Sequence, residues 1–223
     1  KKINFDINKF KKFEHKIKFV VADYKKKIDF KNHTGGESPV EQHQRNCLME
    51  GIKNALPDDY IVLSDSDEIP DFTKIEDINL TKKYLAFSQK MFMYKLNLQN
   101  LNESNWIGSK ITKKKYIKSM QDLRNLKFKK YPFWRIDKYN QEIINGGWHF
   151  SFLQSPHQIL TKIKSFSHGE FNKEGINEKN IEEKILRNED IFERKNKLKK
   201  VTIDNSYPDY IINNKDKLSN WII

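Results

Sequence analysis

Two aspartates spaced two apart, Asp65 and Asp67, follow directly on the apolar run Tyr60-Ile61-Val62-Leu63, within Ser64-Asp65-Ser66-Asp67-Glu68-Ile69-Pro70. A short apolar run of this kind predicts a buried strand, and ligands of open α/β sheets bind beyond strand ends. In a continuing strand, side chains i and i+2 share a face; in a turn, both can converge on one point. Two carboxylates held close together repel, and a divalent cation relieves the repulsion. Mg2+ or Mn2+ takes one or two carboxylates and completes its shell with phosphate oxygens and water. The plainer alternative is an acidic turn that merely ends the strand. With an apolar strand in front and Glu-Ile-Pro behind, the metal reading is preferred.

A second concentration is Gly146-Gly147-Trp148-His149. Paired glycines permit close backbone approach or positive φ, and an indole offers a flat apolar surface suited to a sugar face. A β-turn followed by a core tryptophan fits equally well. His168, in Ser165-Phe166-Ser167-His168-Gly169-Glu170, is the remaining candidate. Imidazole binds Mn2+, so His168 is a plausible third ligand brought from far along the chain. A single cysteine, Cys47, excludes an intramolecular disulfide framework and any multi-cysteine metal site.

The elements that must position these residues follow from local pattern. His15–Ala22 ends in β-branched and aromatic residues and predicts a buried strand; Asp23–Gly36 predicts a loop. Ser38-Pro39-Val40-Glu41 carries a capping box with proline at the first helical position. The helix that follows places Val40, Cys47, Leu48, Ile52 and Ala55 on one face and stops at Pro57. Residues 84–98 predict one long strand or two, and 129–137 and 147–152 predict further strands. Ser155-Pro156 opens a helix through Ile163, and 180–192 is helical, with Ile181 and Ile185 four apart. Strand–helix–strand followed by strands and helices implies an α/β domain with a mixed sheet.

The 223 residues fit one domain, 1–223. Aromatic residues are 13% of the chain, enough to build a core. No apolar run approaches the ~20 residues of a spanning helix, and no signal-peptide pattern is present. The expected location is therefore cytoplasmic. A net charge of +12 favours polyanions, including nucleotide diphosphates and an anionic membrane surface at which the chain would sit peripherally.

These segments together resemble glycosyltransferase family 17, the β-1,4-mannosyl-glycoprotein 4-β-N-acetylglucosaminyltransferases. The matching stretches are 41–46 (EQHQRN), 61–70 (IVLSDSDEIP), 146–152 (GGWHFSF), 162–170 (KIKSFSHGE) and 207–211 (YPDYI). The resemblance implies a GT-A-type nucleotide-diphospho-sugar transferase fold, a mixed central sheet flanked by helices, and an inverting transfer from a nucleotide sugar, UDP-GlcNAc, onto a glycan acceptor. It also implies an upstream segment with the first nucleotide-binding strand, which is not found before Lys1.

On this resemblance Asp65 and Asp67 hold Mn2+ or Mg2+ against the donor diphosphate, and His168 is the third ligand. Arg45 reaches the nucleotide, salt-bridges Asp65 or Glu68, or holds its helix to the sheet. Gly146, Gly147 and Trp148 shape the donor-sugar and acceptor side. Inverting transfer needs a general base, for which Glu170, His149 and Glu68 are candidates, with Glu170 first. Three rivals stand beside this reading. A nucleic-acid-binding module is suggested by Lys113-Lys114-Lys115-Tyr116 and Lys127-Phe128-Lys129-Lys130-Tyr131, but no recognition motif supports it, so no nucleic-acid partner is expected. A metal-dependent phosphoesterase would need a second compact acidic cluster to hold two metals. The third is a folded but inactive binding remnant.

Overall fold

The computed structural model describes residues 5–23, 38–75, 82–128, 141–165 and 176–223. The strand expected over 129–137, most of the loop expected over 23–36, and both His168 and Glu170 lie outside the described residues. The chain divides into two compact units, residues 1–61 with 113–126, and residues 62–112 with 127–223.

Among its described residues the first unit is mostly helical turns. Asp6 caps a run of 3-10 turns over Ile7–Lys16, accepting from the Asn8 N–H at 3.1 Å. The strand expected over His15–Ala22 does not form: the 3-10 turns take its first two residues, and the rest joins no strand among the described residues. Phe19 and Val21 are 47% and 75% exposed, and β-branched residues form a strand only where a ladder and a buried face await them. Helix α1 spans Pro39–Cys47, with the Ser38 hydroxyl accepting from the Val40 N–H at 3.3 Å. It gives way to 3-10 turns over Leu48–Ile52. The expected apolar face is thereby broken: Val40 and Leu48 are exposed and Cys47 is only half-buried. Helix α2, Met120–Asn125, is capped by Ser119 and packs on α1, where the Gln121 N–H donates to Asn46 Oδ1 at 2.9 Å.

The second unit is built on a mixed sheet. Its strands are β1 (Tyr60–Leu63, of which Val62 and Leu63 belong here), β2 (Glu68–Pro70), β3 (Tyr84–Met93), β4 (Leu98–Asn100), β5 (Trp106–Lys113), β6 (Gln141–Ser151) and β7 (Leu198–Lys200). Central β3 runs parallel to β6 along one edge; its other edge pairs antiparallel with β5 and then with β4, and β7 extends β4. The order is thus β1-β5-β3-β6-β2, with β4 and β7 continuing beyond β5's end. Strand spacing of about 4.8 Å would hold β1 and β2 about 19 Å apart in a flat sheet. Only the turn Ser64–Asp67 joins them, so the sheet curls until its ends meet.

Both faces are covered. Met91, Met93 and Leu98 pack under Ile159 and Ile163 of α3 (Pro156–Ser165) and Ile181 and Ile185 of α4 (Glu178–Leu186). Each such isoleucine contributes about 1.5–3 kcal/mol by burial. On the opposite face Phe92 and Phe150 pack against Ile203, Tyr207 and Ile211, the last on α5 (Asp209–Asn213). A capping box opens α3: Ser155 Oγ accepts from the Gln158 N–H, and Gln158 Oε1 accepts from the Ser155 N–H at 3.1 Å. Helix α4 ends before the expected Phe192 because the chain turns at Asn188, whose φ is +58°. Among the described residues no helix is long and apolar enough to cross a membrane.

Candidate functional site

The acidic segment is a tight turn. The Glu68 N–H donates to the Asp65 carbonyl at 3.1 Å, and the Ser64 hydroxyl donates to the Glu68 carbonyl at 3.0 Å while lying 2.6 Å from Ser109 Oγ on β5. Antiparallel pairing of β2 with β6 then sets Glu68 opposite His149, Ile69 opposite Trp148, and Pro70 opposite Gly147. The two segments singled out from the sequence, far apart along the chain, are therefore neighbouring rungs of one ladder.

Glu68 is buried inside the curl. Its Oε1 accepts from Trp106 Nε1 at 2.8 Å, and its Oε2 accepts from the Asp65 N–H at 3.3 Å and from the Ser109 hydroxyl at 3.4 Å. A carboxylate removed from water needs such donors, and these three tie the acidic turn to β5. Gly108 makes the approach possible: a Cβ there would lie 2.0 Å from Gln89 Oε1 and 2.8 Å from Glu68 Cδ. Register shifts along β3 place bulges in β5 and β6 beside Gly108 and the Gly146-Gly147 pair. Trp106, Ser109, Gln89 and Gly108 were not singled out from the sequence. An isolated tryptophan or glycine in a strand carries no signal of its partner, which the curl alone supplies.

Asp67 turns its carboxylate toward His149, with Oδ2 3.5 Å from Nε2. Burial pushes the Asp67 carboxyl up, but its hydrogen bond and electrostatic interaction with His149 outweigh this and hold the group below its ordinary value. It is thus an anion with about a third of its side chain open to solvent. His149 is buried, its ring 4.8 Å from that of Trp106, and its Nδ1 has no hydrogen-bond partner among the described residues.

Gly147 adopts φ +114°, and a Cβ there would lie 2.5 Å from the Ile69 carbonyl oxygen; only glycine fits. Trp148 donates from Nε1 to the Ser206 carbonyl at 3.0 Å, and Lys90 Nζ donates to Ser206 Oγ at 2.9 Å. Together with Asp71, Lys74, Asn145 and Asn205 they line a cavity of about 630 Å3. Strand alternation sends Glu68 and His149 to one face and Trp148 to the other. Packing agrees: Trp106 lies against the cluster under α3 and α4, Trp148 against the one under the C-terminal segment.

Of the residues expected at the site, Asp65, Asp67, Glu68 and His149 are brought together at the turn. Gly146, Gly147 and Trp148 are adjacent in the ladder but face the cavity. Arg45 belongs to the first unit, where its guanidinium donates to Gln121 Oε1. For a divalent cation, the turn offers hard oxygen donors from Asp65 and Asp67, a set that suits Mg2+ or Mn2+ completed by phosphate and water. Among the described residues no group of three or more His, Cys, Asp or Glu side chains is arranged around a common point.

The model of one protein family, glycosyltransferase family 17, matches residues 1–197. No curated protein and no solved structure gives a significant match.

Proposed function

Because the chain belongs to glycosyltransferase family 17 and is a transferase, we propose that it moves a sugar, GlcNAc from UDP-GlcNAc, onto a glycan acceptor with inversion, on a GT-A-type fold. The observation that carries this reading is the ladder that joins the acidic turn to Gly-Gly-Trp-His and sets the anionic Asp67 against His149. Asp65 and Asp67 would hold Mn2+ or Mg2+, with His168 as third ligand. When bound, the cation offsets negative charge on the departing nucleotide diphosphate.

The chain's own side chains do the rest. The bond from the anomeric carbon to the diphosphate oxygen breaks, and a bond to the acceptor oxygen forms on the opposite face of the sugar. The acceptor hydroxyl gives its proton to a base, for which we assign Glu170 first and His149 second. The three donors on Glu68 support a positioning role, since every bond they make fixes the turn. Trp106 and Ser109 keep water from the inner side of the turn by filling the curl.

The test is hydrolysis of a panel of nucleotide sugars in Mn2+ and in EDTA. UDP-GlcNAc is expected to be turned over in Mn2+ alone, and Asp67→Asn is expected to lose Mn2+-dependent donor binding by titration calorimetry. Unchanged binding in that variant refutes the metal site. We further propose a cytoplasmic enzyme held at anionic membrane by its first unit, where Phe5, Phe10, Phe13 and Phe19 are exposed among lysines. Vesicles with anionic lipid are expected to sediment it; equal sedimentation with neutral vesicles refutes this.

A further inference from the structure

The cavity beside Trp148 is walled by side chains other than those of the acidic turn: none of Asp65, Asp67, Glu68 and His149 contributes. Part of its wall, Asn205–Asp209, comes from beyond residue 197, where the family match ends. Its chemistry is that of a surface for neutral sugars. An indole is held edge-on by its bond to Ser206, so its orientation is fixed before any ligand arrives. Asn105, Asn145, Asn205, Ser88, Ser104 and Asp71 line the same cavity, and the Asp71 carboxylate accepts from Thr73 Oγ1 at 2.7 Å. Amides and carboxylates take paired sugar hydroxyls, and the ring takes the apolar sugar face. The charges balance: two lysines, Lys74 and Lys90, and two aspartates, Asp71 and Asp209, line it, so a strongly anionic ligand is not favoured.

We propose that this cavity binds a neutral sugar unit of the acceptor other than the one that reacts, and does so without donor or metal. The proposal rests on the transferase reading above for the word acceptor. Its geometry adds that the acceptor is at least a disaccharide. A sugar against Trp148 lies on the face of the sheet away from Asp67, and the glycan must pass the short edge strand β2 to present a hydroxyl at the turn.

The experiment is binding of the intact chain, in EDTA and without donor, to an array of neutral oligosaccharides. Wild type is expected to bind a subset. Trp148→Ala should weaken that binding about tenfold or more, the loss of one stacked ring. Asn145→Ala with Asn205→Ala, two exposed positions whose replacement leaves the core intact, should weaken it about threefold or more, on the order of one hydrogen bond, with an unchanged far-ultraviolet circular dichroism spectrum. Asp67→Asn should retain binding. No bound oligosaccharide in wild type, unchanged binding in both cavity variants, or loss in Asp67→Asn equal to that in Trp148→Ala would each overturn the proposal. Failure of the transferase reading shows separately, as an absence of Mn2+-dependent donor hydrolysis in wild type.

Discussion

Glu68→Gln probes the acidic turn with almost no change of shape. In the native site Oε1 receives the Trp106 N–H, and Oε2 receives both the Asp65 N–H and the Ser109 hydroxyl. The amide keeps its carbonyl oxygen for Trp106. Its NH2 then faces the Asp65 N–H, donor against donor, while Ser109 can reverse and accept. One bond to a charged acceptor disappears, a contribution of about 1.5–3 kcal/mol, and a half-buried backbone N–H loses its partner, at about 1 kcal/mol or more. The expected loss of stability is about 3 kcal/mol. Urea titration followed by tryptophan fluorescence reads it as a lower midpoint at constant slope, and Trp106 itself reports the altered contact. Release of the Asp65 N–H also frees the turn, so, on the metal site proposed above, Mn2+-dependent donor binding is expected to weaken about tenfold, or about 1.4 kcal/mol. A stability loss below about 0.5 kcal/mol with unaltered donor binding would refute the claim that this carboxylate holds the turn.

Gly147→Ala is expected to cost about 3 kcal/mol or more, or to abolish folding, since a Cβ at φ +114° meets the Ile69 carbonyl; thermal unfolding measures it. Gly108→Ala should displace Glu68 from Trp106, seen as a shifted tryptophan emission with weakened donor binding. Tyr94→Phe removes a buried hydroxyl that donates to Asp190 at 2.7 Å and accepts from the Ile191 N–H, at about 1–3 kcal/mol in urea titration. The pH dependence of stability has a definite sign. Burial raises the Asp190 carboxyl, but the hydrogen bonds of Arg194 and Tyr94 and the charge of Arg194 outweigh it and hold it below its ordinary value. Its stabilisation is therefore present above the unfolded value and lost as pH falls through the lowered folded one. Asp190→Asn should be less stable at neutral pH and should lose less on acidification over that range.

What could be read from the sequence was local. Ser38-Pro39 and Ser155-Pro156 begin helices because a hydroxyl satisfies orphan N–H groups wherever it stands, and Tyr60–Leu63 is a strand followed by its acidic turn, though not the buried strand expected: Tyr60 and Val62 are exposed and only Leu63 is buried. Ile181 and Ile185 are buried as their spacing required. Residues 84–98 resolve into β3 and β4, broken at Tyr94, where φ is +65°. His15–Ala22 has strand-forming residues and forms none, because propensity does not supply a neighbour. The same limit hid Trp106 and Gly108, whose roles exist only once β5 lies across from β2. Nor did Gly146-Gly147-Trp148-His149 show on its own that Trp148 and His149 would meet different partners on two covered faces.

The ladder that seats the acidic turn joins residue 68 on β2 to residue 149 on β6, and β6 runs parallel to β3 along its other edge. Pairings so distant in the chain close late, after the loop-closure entropy has been met. During synthesis, then, the turn emerges from the ribosome well before the strand that orders it. Until β6 arrives, Glu68 has no His149 opposite and Asp67 no imidazole beside it, so the turn lacks the partners that order it.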